Sequence, residues 1–204
     1  METALTIYGY HLTYLELIGS IFNFVSVIFA TKANWWNWIC SIIGQVCFFF
    51  LFWNNSLYAN AILQIYFTYI CIVAIFYWRK TDKNEGKGLR WLTNKQRLIW
   101  SIITIISIFV IDFIVRQILP VEKQSANLFL DITVTVLSIL GVNLLSFKYI
   151  ESWLVWIISD IVCVFLFGFS GIYLVAIESL IFTGTAIYGF INWIKIYNLK
   201  KVTL

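Results

Sequence analysis

The sequence predicts an all-α membrane protein with seven transmembrane helices in a 3+1+3 parallel-repeat arrangement. Three observations lead there. The 204-residue chain is 61% hydrophobic and only 12% charged, too few polar groups to coat a water-soluble globule. Its apolar residues gather into seven runs near the roughly 20 residues that a helix needs to cross about 30 Å of hydrocarbon. Finally, part of the chain repeats itself.

Residues 1–13 form an outer N-terminal segment, acidic and aromatic, without the basic start of a cleavable signal; the first span is therefore expected to stay in the mature protein. The first three-helix bundle occupies 14–78, with apolar runs at 14–31, 36–53 and 57–78. A basic cytoplasmic loop follows at 79–97, then a connecting span at 98–119. The second bundle, 127–194, holds runs at 127–147, 153–170 and 172–194, and a tail at 195–204 closes the chain. The runs are continuously apolar and lack the period-two alternation of barrel strands, which argues against a β-barrel.

With the N-terminus outside, the inner segments collect Lys32, Arg79, Lys80, Lys83, Lys87, Arg90, Lys95, Arg97, Lys148, Lys195, Lys200 and Lys201, leaving Arg116 and Lys123 outside. That asymmetry predicts N-terminus out and C-terminus in. The net charge of +4 then reflects cytoplasm-facing loops and anionic headgroups, and no nucleic-acid partner is expected.

The repeat aligns 58–78 without a gap to 173–193, matching Tyr58, Ala61, Phe67, Thr68 and Trp78 with Tyr173, Ala176, Phe182, Thr183 and Trp193. Upstream, WWNWICS at 35–41 aligns with WLVWIIS at 153–159, three residues out of step, as if a small deletion lay in the hairpin. A three-span unit fused to its copy would lie inverted, so the fourth span restores the parallel arrangement. Parallel repeats are a transporter plan, with the substrate site near the midplane.

Trp153, Trp156 and Asp160 stand at i, i+3 and i+7 on one helix face. An ionised carboxylate facing lipid is costly, so Asp160 is expected to face the protein interior or a wet cavity. With two indoles it suits a flat cation, through stacking, cation–π attraction and charge balance. The alternative makes the tryptophans interfacial anchors and Asp160 an interhelical hydrogen-bond partner. Glu178 is expected to be a second buried acid, and Gln64 can orient a polar ligand; an interhelical bond serves either equally well. Asn37 and Trp38, in the WNW of the second span, and Asn192 lie near the cytoplasmic ends, where they could line a path or cap a helix. Asp112 and Arg116 read as a self-neutralising i, i+4 pair, and Glu16 and Asp131 as acids at helix starts. His11 gets no role. Cys40, Cys47, Cys71 and Cys163 lie in spans without C-x-x-C or neighbouring His, so they read as packing residues, with no metal or cofactor site.

Several motifs occur in a fixed order: WNW followed by Gly44, SLYANAILQ at 56–64, the basic third loop, then ESWLVWIISD and GIYLVAIE. In these the sequence resembles the PnuC family of bacterial vitamin transporters, whose members move nicotinamide riboside. The resemblance implies a SWEET-like fold in the bacterial inner membrane, with facilitated diffusion through one central site. It also implies capture of the imported nucleoside by a cytosolic kinase, on the way to NAD. By position it makes Trp153, Trp156, Asp160 and Gln64 the leading substrate contacts, with Asn37 and Tyr58 behind them. Thiamine, also flat and cationic, is the alternative substrate. The rivals from other classes are a non-transporting membrane subunit, with flux absent, and an intramembrane enzyme, which lacks H-E-x-x-H or a Ser/His pairing. Self-association is left open.

Overall fold

In the computed structural model, residues 3–7, 10–55, 58–85, 88–118, 127–169 and 173–202 are described. Two short strands, β1 (Thr3–Ile7) and β2 (Tyr10–Thr13), precede seven helices: α1 (Tyr14–Thr31), α2 (Trp36–Asn54), α3 (Tyr58–Glu85), α4 (Asn94–Ile118), α5 (Leu128–Ser146), α6 (Ser152–Phe169) and α7 (Tyr173–Val202). The antiparallel β1–β2 hairpin stands where the sequence suggested only a lead-in. Its Thr, Leu, Ile and Tyr residues favour extended backbone.

The helices begin and end close to the apolar runs, with two instructive exceptions. α3 continues through Glu85 and α4 already starts at Asn94, so much of the expected 79–97 loop is helical. Hydropathy falls after Trp78, but the first helix breaker is Gly86; polarity ends a span without ending a helix. α7 likewise runs on to Val202 through the expected tail.

Six of the seven helices among the described residues are long and apolar enough to cross a membrane, which makes this a multi-pass membrane protein. The seventh, α7, has 30 residues and so reaches about 45 Å.

The chain divides into two compact units, Met1–Gly88 and Leu89–Leu204. In the first, α2 packs against both α1 and α3. Thr13 Oγ1 caps α1 by accepting from the Glu16 N–H at 3.2 Å, and Glu16 stands in the first helical turn, where the helix dipole welcomes an acid. The seam between α1 and α2 is polar at one point, a 2.6 Å hydrogen bond between the Ser26 and Ser41 hydroxyls.

In the second unit, α6 packs against both α5 and α7, and α4 rests on α5. The approach to α4 is tied to the turn between α5 and α6: Arg90 forms a parallel bridge with Tyr149, and the Leu92 N–H donates to both oxygens of Glu151 at 3.1 Å. Arg97 adds an ion pair to Glu151 at 2.8 Å. Asp112 and Arg116 form the expected i, i+4 pair, also at 2.8 Å.

The repeat is more regular than the sequence suggested. Ala33 and Lys148, 115 positions apart, both take left-handed backbone conformations, with φ of 48° and 61°. Around them the same bonds recur: Asn34 N–H to Phe29 O at 3.1 Å and Tyr149 N–H to Leu144 O at 3.0 Å, and Thr31 Oγ1 to Ile28 O at 2.8 Å and Ser146 Oγ to Asn143 O at 2.7 Å. Trp38 meets Trp78 edge to face with centroids 5.5 Å apart, and Trp153 meets Trp193 the same way at 5.6 Å. Trp153 therefore corresponds to Trp38, not to Trp35. The shifted alignment of 35–41 is corrected to the unbroken separation of 115 that α3 and α7 already show. The W-x-x-W spacing in both stretches invited the wrong match.

Candidate functional site around α6

The α5–α6 turn launches α6, and on this helix the two tryptophans diverge. Trp153 is only 2% exposed and its ring lies on α7, where a Cβ at Gly189 would come within 2.7 Å of three ring atoms. Trp156 points to the other neighbour: a Cβ at Gly141 of α5 would meet it at 2.9 Å. Each indole occupies a notch left by a glycine. Trp156 stays half-buried, so of the two it keeps ring surface for a guest.

Asp160 lies one turn beyond Trp156 and is half-buried. It makes no hydrogen bond or ion pair to any described residue. A carboxylate in a membrane-spanning helix needs compensation, and no hydrogen-bond or ion-pair partner for it stands among the described residues. Such a group, with an indole beside it, can hold a cation or bind water.

Glu178 on α7 is exposed, not buried as expected; it lies early in α7, where the packing against α6 leaves it uncovered. Asn192, half-buried, directly precedes the sealed Trp193. In the first unit Asn37, Trp38 and Gln64 are all buried, with Asn37 and Trp38 each 1% exposed. The Asn37 Oδ1 and Trp38 Nε1 atoms find no partner, and neither do Ser152 Oγ and Trp153 Nε1 at the matching places of the second unit. Such orphaned polar groups are uncommon in protein interiors. Tyr58 begins α3, but its side chain lies outside the described residues. The second unit thus gathers Trp153, Trp156 and Asp160 on one helix, while Asn37, Trp38 and Gln64 belong to the first.

Sequence profiles agree with this architecture. Residues 13–195 match the family described as nicotinamide mononucleotide transporter. The chain belongs to that family. Among curated relatives, the nicotinamide riboside transporter PnuC of Escherichia coli K12 is 27% identical over 209 residues, covering 92% of this chain and 87% of the relative. The protein of the same name from Haemophilus influenzae is 23% identical over 191 residues, covering 90% and 80%. The crystal structure of the vitamin B3 transporter PnuC superposes with a TM-score of 0.71 at 20% identity, covering 92% of this chain and 83% of that one. The resemblance read from the motifs is borne out, and the family's relatives are named as transporters.

Gly141, Gly189 and Glu151 escaped the sequence reading. A glycine opposite a tryptophan carries no local signal, because the partners are 15 and 36 positions apart. Glu151 had a visible cue, an acid directly before an apolar helix, but its acceptors' partners lie almost 60 residues earlier.

Proposed function

We propose that this chain takes up nicotinamide riboside across a bacterial cytoplasmic membrane by facilitated diffusion, with its N-terminus outside and its C-terminus inside. The observation that carries the reading is Asp160, a half-buried carboxylate with no bond to any described residue, one turn from a half-buried Trp156. A pyridinium ring answers both groups at once: its π-face stacks on the indole, and its positive charge balances the carboxylate in a medium of low dielectric. Membership of a family whose relatives are named for this nucleoside supports the choice of substrate.

The ribose hydroxyls leave work for neutral polar groups, and Gln64, Asn37 and Asn192 are the proposed donors and acceptors, with Tyr58, Trp38 and Glu178 behind them. Trp153 acts chiefly through the α6–α7 seam that aims its helix. The proposed frame is 3+1+3, with α4 joining two parallel three-helix repeats. The recurrence of the same turn, tryptophan pair and packing order at a separation of 115 supports this plan. Alternating exposure of the site by rocking of the repeats follows from it.

Binding of labelled nicotinamide riboside to the purified protein tests the site. Trp156→Ala abolishes binding in protein that stays folded and monodisperse in detergent at the assay temperature, and unlabelled thiamine in excess competes only weakly. Undiminished binding by Trp156→Ala removes α6 from the site, and stronger competition by thiamine changes the substrate.

A further inference from the structure

One end of the first unit carries a cluster of cations and indoles that substrate uptake does not use. We propose that Trp35, Trp36 and Arg79, with Lys32 and Lys80 beside them, form a discrete site for the headgroup of one anionic phospholipid. Its place in the cytoplasmic leaflet rests on the topology proposed above, whereas binding itself requires neither that topology nor a substrate.

The site is built by the α1–α2 turn and by α3 just beyond its apolar run. Trp38 and Trp78 meet edge to face, both sealed from solvent, and this seam positions their neighbours. Trp35 lies three residues before Trp38 and Arg79 directly follows Trp78; the Arg79 guanidinium carbon stands 5.1 Å from the Trp35 ring centroid. This cation–π contact orients the Arg79 head without using its N–H groups, which bond to no described residue. Trp36 stacks on Trp35 with centroids 4.7 Å apart yet is 49% exposed, an amphipathic ring of the kind that seeks the headgroup level. Lys32, Arg79 and Lys80 are exposed, and none forms an ion pair with a described residue. Three such cations at one end of the unit attract anionic lipid, and the planar fork of Arg79 matches two phosphate oxygens.

The matching turn of the second unit is completed by the chain itself. The counterpart of Trp35 is Ile150, fully buried, whose N–H donates to Arg90 O at 3.0 Å. Arg90 also donates from Nε to Phe147 O at 3.1 Å and lays its guanidinium over the Tyr149 ring, 4.5 Å from the centroid. A backbone acceptor and an arginine stacked on an aromatic thus close that turn. In the first unit the stacked arginine is present as Arg79 on Trp35, but the half-buried Trp35 N–H bonds to no described residue. A backbone N–H withdrawn from bulk water needs an acceptor, and a phosphodiester oxygen supplies one together with the charge that Arg79 favours. The start of α2 is not what recognises the anion, because Asn34 already meets its N–H groups: Oδ1 accepts from Trp36 and the backbone O from Asn37, both at 3.1 Å.

Phosphatidylglycerol is the probe. The full chain, purified in neutral detergent, is titrated with it, and native mass spectrometry counts the lipid each chain retains. One molecule is held with an affinity about fivefold or more above that for phosphatidylcholine of the same acyl chains. Arg79→Gln lowers that affinity about fivefold, and Arg79→Lys lowers it less, since the charge survives while the fork is lost. Lys195→Gln removes a charge from an exposed residue of the second unit, the counterpart of Lys80, and changes the affinity less than about twofold. Equal losses in Arg79→Gln and Lys195→Gln would reduce the effect to net charge and overturn the site, as would equal retention of the two lipids. Displacement of the lipid by excess inorganic phosphate would make the ligand a free anion and overturn it too. Arg79 is exposed, so its variants keep the fold, and binding of nicotinamide riboside is read separately: its persistence in Arg79→Gln leaves the transport reading intact whatever the lipid does.

Discussion

Trp153 lies on α7 at the one place where Gly189 leaves room for it, with three ring atoms 2.7 Å from where a Cβ would stand. The ring cannot retreat easily, because its edge meets Trp193 at 5.6 Å and the residue is sealed from solvent. Gly189→Ala therefore overpacks the α6–α7 seam and destabilises the protein by about 1–3 kcal/mol, read as a lower melting temperature in detergent. Gly184→Ala on the same helix, where nothing lies within 4 Å of the new Cβ, serves as the control. It leaves stability unchanged or slightly raises it, since alanine is the better helix former. Equal losses in the two variants would show that helix propensity, not the tryptophan notch, governs the seam.

Glu151 is the hub of the second unit's turn, and its two kinds of partner differ in weight. Glu151→Ala strips the Leu92 N–H of its acceptor as well as breaking the ion pair, a loss of about 1–3 kcal/mol. Arg97 is nearly half exposed at 47%, and water screens much of its attraction, so Arg97→Ala costs at most about 1 kcal/mol. Hydrogen exchange at the Leu92 amide distinguishes the variants: it accelerates strongly in Glu151→Ala and little in Arg97→Ala. The reverse order would assign the tether to the ion pair.

Charge recognition by Asp160 can be separated from shape. Asp160→Asn keeps the size of the side chain and removes its charge. Affinity for nicotinamide riboside falls at least tenfold, or about 1.4 kcal/mol, while affinity for the reduced, uncharged form of the same nucleoside changes by less than threefold. Calorimetric titration with both compounds measures the pair of ratios, and equal losses for the two would make Asp160 a shape determinant only.

Twelve of the fourteen Lys and Arg residues fall on one side of the proposed topology. An epitope added before Met1 is then accessible to antibody in spheroplasts, and one added after Leu204 only after permeabilisation. The opposite pattern inverts the whole assignment and moves the basic segment between α3 and α4 to the outer face.

Uptake without ion coupling makes a further distinction. In proteoliposomes, flux of nicotinamide riboside follows its own gradient and is unchanged, within about twofold, by an imposed pH gradient. A pH gradient that drives accumulation against the concentration of the nucleoside would reassign Asp160 as a proton carrier.

Much of this protein was decided by local chemistry that any reader of the chain can see. Hydrocarbon tolerates only backbone that bonds to itself, so long apolar runs could fold in few ways. The bounds of α1 and the partnership of Asp112 with Arg116 follow from spacing alone. So does the candidacy of Trp156 and Asp160, because costly residues stand out against an apolar background. What tertiary structure alone decided are relations between distant positions. Among them are the notches at Gly141 and Gly189 that send two neighbouring tryptophans to different helices, and the left-handed turns at Ala33 and Lys148, which no glycine announces. The exposure of Glu178 and the correspondence of Trp38 to Trp153 across the repeat belong with them. Packing joins residues by shape across the fold, and shape complementarity between remote segments leaves no periodic trace along the chain.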